Sequence, residues 1–411
     1  MNRWNHQKWG TLADPIHKSH LKQIVGPFGC LRAFQYDMQH AAEDGLSKGY
    51  DSVSGKSAAG TASHETIARA LGNEQVRAQL LEGQGVSAES VRKVFDQELE
   101  RARDGRELVW YGKRDNPDKV LADRVQMVTG LLGDLHNHVA QIELIEAGFI
   151  ARVGDYWVSG QTDLVYRPAD DPSGLGMADW KSGAQKPHPI ELDHGFESGI
   201  YASAVHEGVF VPRDVVEMEG YHCEAYQGWR ARGPFDIEVV GRSYYKTQRT
   251  CLDRVLIEVG ARLDAGDLEA IEDYPRFGVY PSHLHYVHMG DYVPYQKKGT
   301  KTVDRPEDLR FYGLEEPGRV SYVAGDRRGP AWLEMRRTED DVPRLEHLLR
   351  AVVSTVRMGR FFESVGEKCT RCPFKEQCLT AGYAPRGEEK KDIDEALRGL
   401  DLDDHKLGDV A

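Results

Sequence analysis

The 411-residue chain carries 66 acidic against 53 basic side chains, a formal charge of −13, and 40% of its residues are apolar. That suffices for one large core or two smaller ones, and the net charge gives no sign of the basic footprint of a nucleic-acid binder. Six unevenly placed cysteines (Cys30, Cys223, Cys251, Cys369, Cys372 and Cys378) argue against a secreted disulfide framework, and no run approaches the ~20 apolar residues of a membrane span, so the chain reads as cytoplasmic with no membrane contact.

Helix is predicted over most of 61–105, with Ser87 capping the segment through Glu100. Val120, Leu121, Val125, Val128, Leu131, Leu132, Leu135 and Val139 then recur at helical spacing, the mark of a buried amphipathic helix. The pattern next turns to strands, Ile142 to Glu146 and Ala147 to Val153, with Gly154-Asp155 as a hairpin turn before Tyr156 to Val158. A strand from Gly160 to Tyr166, the polar loop RPADDPSGLG and a returning strand MADWKS complete the meander. After Pro189, the spacing of Phe196, Ile200, Tyr201 and Ala204 is helical again. Further strands are expected at 215–226 and 236–246, a helix over Leu252 to Leu263, and loops through 270–335, which is rich in Tyr, Pro and Gly. From Asp341 as cap, with Pro343 just inside, Leu345, Leu348, Leu349, Val352, Val353 and Val356 mark an amphipathic helix ending near Gly359. Beyond Arg386 the chain turns acidic and reads as a solvated tail. Helix, strand meander and helix in that order imply an α/β or α+β core.

The most chemically loaded stretch is the pair GQTDLVY and GMADWKSG. Residues two apart on a strand share a face, so Asp179 and Lys181 point together and Trp180 turns away. If the two strands pair across the intervening loop, Asp163 joins Asp179. Two carboxylates so placed call for a cation between them, and hard oxygen ligands suit Mg²⁺ or Mn²⁺. A nearby ammonium can orient a water or meet charge developing on a phosphate. An Asp-x-Lys standing alone is more often a solvated surface pair. The surrounding residues change the balance: Gly160 three positions before Asp163, His64 at the start of a predicted helix, and Glu143 on the strand entering the meander.

The order His64, Glu143, Gly160-x-x-Asp163, Asp179-x-Lys181 and Glu197-x-x-x-Tyr201 resembles the RecB-like branch of the PD-(D/E)XK nucleases. That branch includes the nuclease domains of bacterial helicase-nucleases, the CRISPR-associated RecB-like exonucleases and exonuclease V. The resemblance implies a restriction-endonuclease-like core, a central mixed sheet flanked by helices. It implies a divalent cation, Mg²⁺ or Mn²⁺, held by His64, Asp163, Asp179 and the Trp180 carbonyl. Lys181 would then position the attacking water, with Glu143 as a further catalytic carboxylate. Tyr201 would hold DNA or the site's geometry, and Glu197 replaces the family's Gln on that helix. Phosphodiester hydrolysis would release the 3′ oxygen and leave a 5′ phosphate. The substrate would be DNA, single-stranded or at duplex ends, and the setting repair, recombination or CRISPR adaptation. No helicase motif is present, so any helicase, recombinase or CRISPR adaptation partner would be a separate chain.

Three cysteines crowd into CTRCPFKEQC at 369–378, a spacing that serves zinc or an iron-sulfur cluster and leaves a fourth ligand to be found. Iron-sulfur members of the family carry one cysteine before the nuclease core and three after it, so the resemblance assigns a 4Fe-4S cluster to Cys30, Cys369, Cys372 and Cys378. On this reading residues 1–60 carry the first cluster cysteine, 61–270 form the nuclease core, 271–340 a loop-rich insertion, 341–382 the C-terminal helix and cysteines, and 383–411 the tail. Cys223 and Cys251 read as buried small apolar residues. A catalytically inactive DNA-binding scaffold of the same fold, or a zinc-clasped nuclease, are the alternatives.

Other motifs carry less. GYDSVSGKS has one residue too many for a phosphate-binding loop, with no buried strand expected before it, and HNH at His136 to His138 lies in a helical pattern. His283, His285 and His288 in HLHYVH lack a carboxylate at ligand spacing. Trp229, Arg230 and Arg232, close to Tyr226, suit stacking on bases and gripping phosphates as well as an ordinary exposed loop.

Overall fold

The computed structural model describes residues 4–25, 29–44, 52–103, 105–110, 116–182, 192, 195–213, 229–231, 237–239, 244–290, 297–303, 318–324, 330–335 and 337–361, with Cys369, Cys372, Phe374 and Cys378. The chain divides into two compact units. One joins 1–9, 16–49 and 350–411; the other holds 10–15 and 50–349.

Three helices near the start of the larger unit, α1 (Gly55–Gly72), α2 (Ala88–Arg103) and α3 (Pro117–Asp134), cover the sheet, with a shorter helix, Glu74–Leu81, between the first two. Small residues Ala58, Ala59, Ala62 and Ser63 let α1 sit deep in the core, and the buried Ser63 and Thr66 hydroxyls donate to Ala59 O (2.8 Å) and Ala62 O (2.7 Å). The sequence places the start of this helix near 61; it begins six residues earlier. A short strand, Ser52–Ser54, leads into it beside Glu107–Val109, with Val53 and Ser54 only half-buried. Ser87 Oγ accepts from Ser90 N at 3.1 Å, the expected cap of α2. Proline at the first position and Asn116 as cap start α3.

The meander is one long hairpin, β1 (Val139–Val153) and β2 (Tyr156–Pro168), turned at Gly154 with φ 56°. The breaks expected after Glu146 and Val158 are absent; both strands run on, because almost every residue there is buried and pairing is the only way to satisfy the backbone. After β3 (Gly176–Lys181) come α4 (Phe196–Glu207), β4 (Val209–Val211), α5 (Tyr244–Asp264), β5 (His283–His288) and β6 (Ala331–Met335). The strands hydrogen-bond in the order β6-β5-β3-β2-β1-β4. All neighbours are antiparallel except β3 and β5, which run parallel, so the sheet is mixed.

Two expectations are corrected here. The 271–340 stretch, read as a loop-rich insertion, supplies β5 and β6 to the central sheet; β5 and β6 are short and separated by a long span, which hides their period from a window search. Residues 244–246, read as strand, are the first turn of α5. The strand expected at 215–226 lies outside the described residues.

Helices α1 to α3 pack Ile67, Leu71, Phe95, Val128 and Leu132 against Leu164, Tyr166, Ala178, Trp180 and Val287 of the sheet. Helix α5 closes a second cluster, Val255, Leu256 and Val259 against Ile150, Val209 and Val211. Arg69 of α1 and Arg101 of α2 both bind Glu98, which is 1% exposed, at 2.9 and 2.7 Å. The last helix, α6 (Val342–Arg357), is preceded by a single 3-10 turn. Thr338 caps that turn: its N–H donates to Asp341 Oδ2 at 2.9 Å, the reciprocal half of a capping box.

Candidate active site

The β2–β3 ladder pairs Tyr166 with Gly176 and Leu164 with Ala178, and goes no further. At its open end the Asp163 carboxylate turns across to accept from the Trp180 N–H. In a strand the N–H and C=O of one residue point the same way, so the Trp180 carbonyl faces Asp163 too, while its indole is buried under the helices. Asp179 and Lys181 point away from that core and form an ion pair. Tyr201 of α4, 1% exposed, donates its hydroxyl to Asp179 Oδ1 at 2.8 Å.

Across β2, Glu146 of β1 lies opposite Asp163, and His64 comes down on both from α1. His64 Nδ1 is 3.3 Å from Asp163 Oδ1 and 3.6 Å from Glu146 Oε1. Both carboxylates are 8% exposed. Burial opposes a charge on His64, but 27% of its side chain stays accessible and the two carboxylates win, lifting its pKa to about 10. Burial, and then Asp163, push Glu146 up to about 7 against the pull of His64. Burial likewise opposes a charge on Lys181, and Asp179, Glu197 and Asp163 overcome it and hold the ammonium firmly protonated. Burial and the same carboxylates drive the Tyr201 hydroxyl well above its usual range, so it donates as a neutral phenol.

One ligand atom each from His64, Glu146 and Asp163 falls within 4.8 Å of the others. Glu146 Oε1 is buried without a hydrogen bond. Two hard carboxylates, one imidazole and an orphaned oxygen suit a divalent cation such as Mg²⁺ or Mn²⁺, which would quench the repulsion between the acids.

The structure therefore brings together His64, Asp163, Trp180, Asp179, Lys181 and Tyr201, with Glu197 near enough to act on Lys181. His64 lies in the middle of α1, not at its start. Glu143 is elsewhere: it pairs with Arg167 at 2.7 Å, and Glu146 stands where Glu143 was expected. The signal for Glu146 was present, a lone acid in the apolar run LIEAGFI that has no business in a buried strand without a partner. Trp229 and Arg230 lie on a short strand, Trp229–Ala231, whose side chains are not described, and Arg232, Cys223 and the Cys251 side chain are outside the described residues.

In the smaller unit, Cys30 starts the helix Leu31–Asp44, with Phe34 N on its carbonyl at 3.0 Å. Tyr36 of that helix packs on Phe374, ring centroids 5.7 Å apart, and Cys378 N donates to Phe374 O at 2.8 Å. Burial raises the pKa of the Cys372 thiol, and Cys30 and Cys369 are close enough to raise it further, against the lowering hydrogen bond from Phe374 N. These thiols thus share a neighbourhood.

Among the described residues no helix is long and apolar enough to cross a membrane. No curated protein and no solved structure matches the chain. The model of the PD-(D/E)XK nuclease superfamily, however, matches residues 29–275, more than half of the sequence and the whole of the acidic site. The chain therefore belongs to the PD-(D/E)XK nuclease superfamily.

Proposed function

We propose that this chain is a DNA exonuclease of the RecB-like branch, dependent on Mg²⁺ or Mn²⁺. The observation that carries it is the meeting of His64, Glu146 and Asp163 beside the Asp179–Lys181 pair. A divalent cation held by His64, Glu146, Asp163, Asp179 and the Trp180 carbonyl would neutralise phosphate oxygens and make water acidic enough to attack. The chain supplies the rest. Lys181, fixed on Asp179, offers a proton donor that can orient the water or meet charge on the phosphate. Tyr201 keeps Asp179 turned toward the site rather than toward solvent. Glu197, which stands where the resembled family has Gln, lies close enough to Lys181 to favour its ammonium form.

The same reading gives Cys30, Cys369, Cys372 and Cys378 to a 4Fe-4S cluster that clasps the smaller unit; the neighbourhood of Cys30, Cys369 and Cys372 supports it. Its place would be in DNA repair, recombination or CRISPR adaptation, with an unwinding or recombination partner on another chain.

End-labelled single- and double-stranded DNA, incubated anaerobically with Mn²⁺ and wild type or Asp179→Ala, tests the activity. Stepwise shortening by wild type alone supports it; intact DNA with both proteins favours the inactive scaffold. Brown protein with four irons per chain, lost in Cys30→Ala, supports the cluster, and a colourless zinc protein overturns it.

A further inference from the structure

Glu146 has φ 47°, the left-handed region, and is alone in this among the described non-glycine residues. A side chain is strained there, and strain at a site points to a use. A strand often tolerates such a residue to absorb an extra position. That is not so here: Leu144 pairs with Val165, Ile145 with Leu164, and Ala147 with Thr162, so the register is the same on both sides of Glu146. The ladder gains nothing from the twist. What the twist changes is the aim of one carboxylate.

Gln161 of β2 holds that aim. Its side-chain amide donates to Glu146 O at 3.0 Å and to Glu146 Oε2 at 2.9 Å, so one group pins both the strained backbone and one carboxylate oxygen. Both partners are acceptors, which fixes the amide nitrogen toward them. The other oxygen, Oε1, is left without a hydrogen bond, 3.6 Å from His64 Nδ1.

We propose that Gln161 is a positioning residue for the cation site, locking Glu146 in a strained backbone conformation so that its other oxygen, Oε1, is held beside His64 and faces the cation. Its hydrogen bonds do for a carboxylate ligand what outer-shell partners do for ligands generally, where their loss costs roughly 10- to 100-fold in affinity. The proposal rests on the nuclease reading above.

The test is Mn²⁺ titration, by calorimetry or by loss of the free-ion electron-spin signal, on wild type, Gln161→Leu, Glu146→Gly and the double variant, with melting in chelator alongside. Gln161→Leu should bind Mn²⁺ roughly 10- to 100-fold more weakly. Glu146→Gly should lose at least as much affinity, yet melt no lower than wild type in chelator, because glycine relieves the left-handed strain. In the double variant the loss should equal that of Glu146→Gly, since Gln161 acts only through Glu146. Unchanged affinity in Gln161→Leu, or losses that add, overturn the proposal while leaving the nuclease reading intact. If Gln161→Leu fails to fold, Glu146→Gly decides: a melting point below wild type in chelator overturns it. A wild type that neither binds Mn²⁺ nor cuts DNA removes the nuclease reading, and this proposal with it.

Discussion

His64 and Asp163 meet at 3.3 Å, Nδ1 to Oδ1, with the helix bearing one laid over the strand bearing the other. A cation that binds this site only in the folded chain should stabilise the fold by mass action. Mn²⁺ at 100 times its dissociation constant should add about 2.7 kcal/mol. Thermal melting with and without the ion checks this, and Asp163→Asn should abolish the response.

Lys181 and Tyr201 both depend on Asp179. On the proposed function, Lys181→Gln should lower the cleavage rate by roughly 100-fold or more, with the fold intact, since it removes the positive charge held beside Asp179. Tyr201→Phe removes a buried hydrogen bond to a carboxylate and should cost about 2 kcal/mol of stability. Single-turnover cleavage and denaturant melts separate the two effects.

Glu98 joins α1 to α2 through Arg69 and Arg101 in a buried ion-paired cluster. Glu98→Ala removes the buried carboxylate that both guanidinium groups bind and should destabilise by about 3 kcal/mol. Since α1 carries His64, weaker Mn²⁺ binding should accompany the lower melting temperature.

At the other end of the sheet, Tyr166 OH meets His285 Nδ1 at 2.6 Å, and His138 stacks on Trp332 with ring centroids 4.3 Å apart. Burial, and then His283 and His138, pull the His285 pKa down to about 4, against weaker opposing pulls from Glu334 and Asp170. The unfolded chain, with this histidine near 6.5, binds the proton more readily than the folded one. Stability from this site is therefore full above pH 6.5 and is lost as pH falls toward 4, by up to about 3 kcal/mol. Melting temperature across that window should fall less steeply in His285→Phe than in wild type.

How far the fold was legible depended on the length of each signal. The period of 341–359 is long and its helix stands where it was read, because an amphipathic stripe repeats over several turns; that of 120–139 marks α3, which stops at Asp134, so that Val139 already belongs to β1. The alternation of Asp179, Trp180 and Lys181 gave their opposite directions directly. Gly154-Asp155 marked the hairpin, as its positive φ requires. By contrast, β5 and β6 join the sheet through pairings that no local pattern records, so the stretch holding them looked like loop. The exchange of Glu143 for Glu146 has the same origin. Both are acids on β1, and beyond the apolar run around Glu146 it is their partners, Arg167 for one and His64 beside Asp163 for the other, that tell them apart.

The parallel partner of the catalytic strand bears on how the enzyme is made. Strand β3 is flanked by β5, and the contact between Tyr166 and His285 that ties this region spans 119 positions of sequence. On the ribosome, the acidic residues emerge long before the strand that shields their backbone, and the edge of β3 must wait, unpaired, for it. Such distant pairing slows folding. A nascent chain stopped before His283 already carries every candidate catalytic side chain and the strands that bear them, and still lacks the strand that pairs with the far edge of β3.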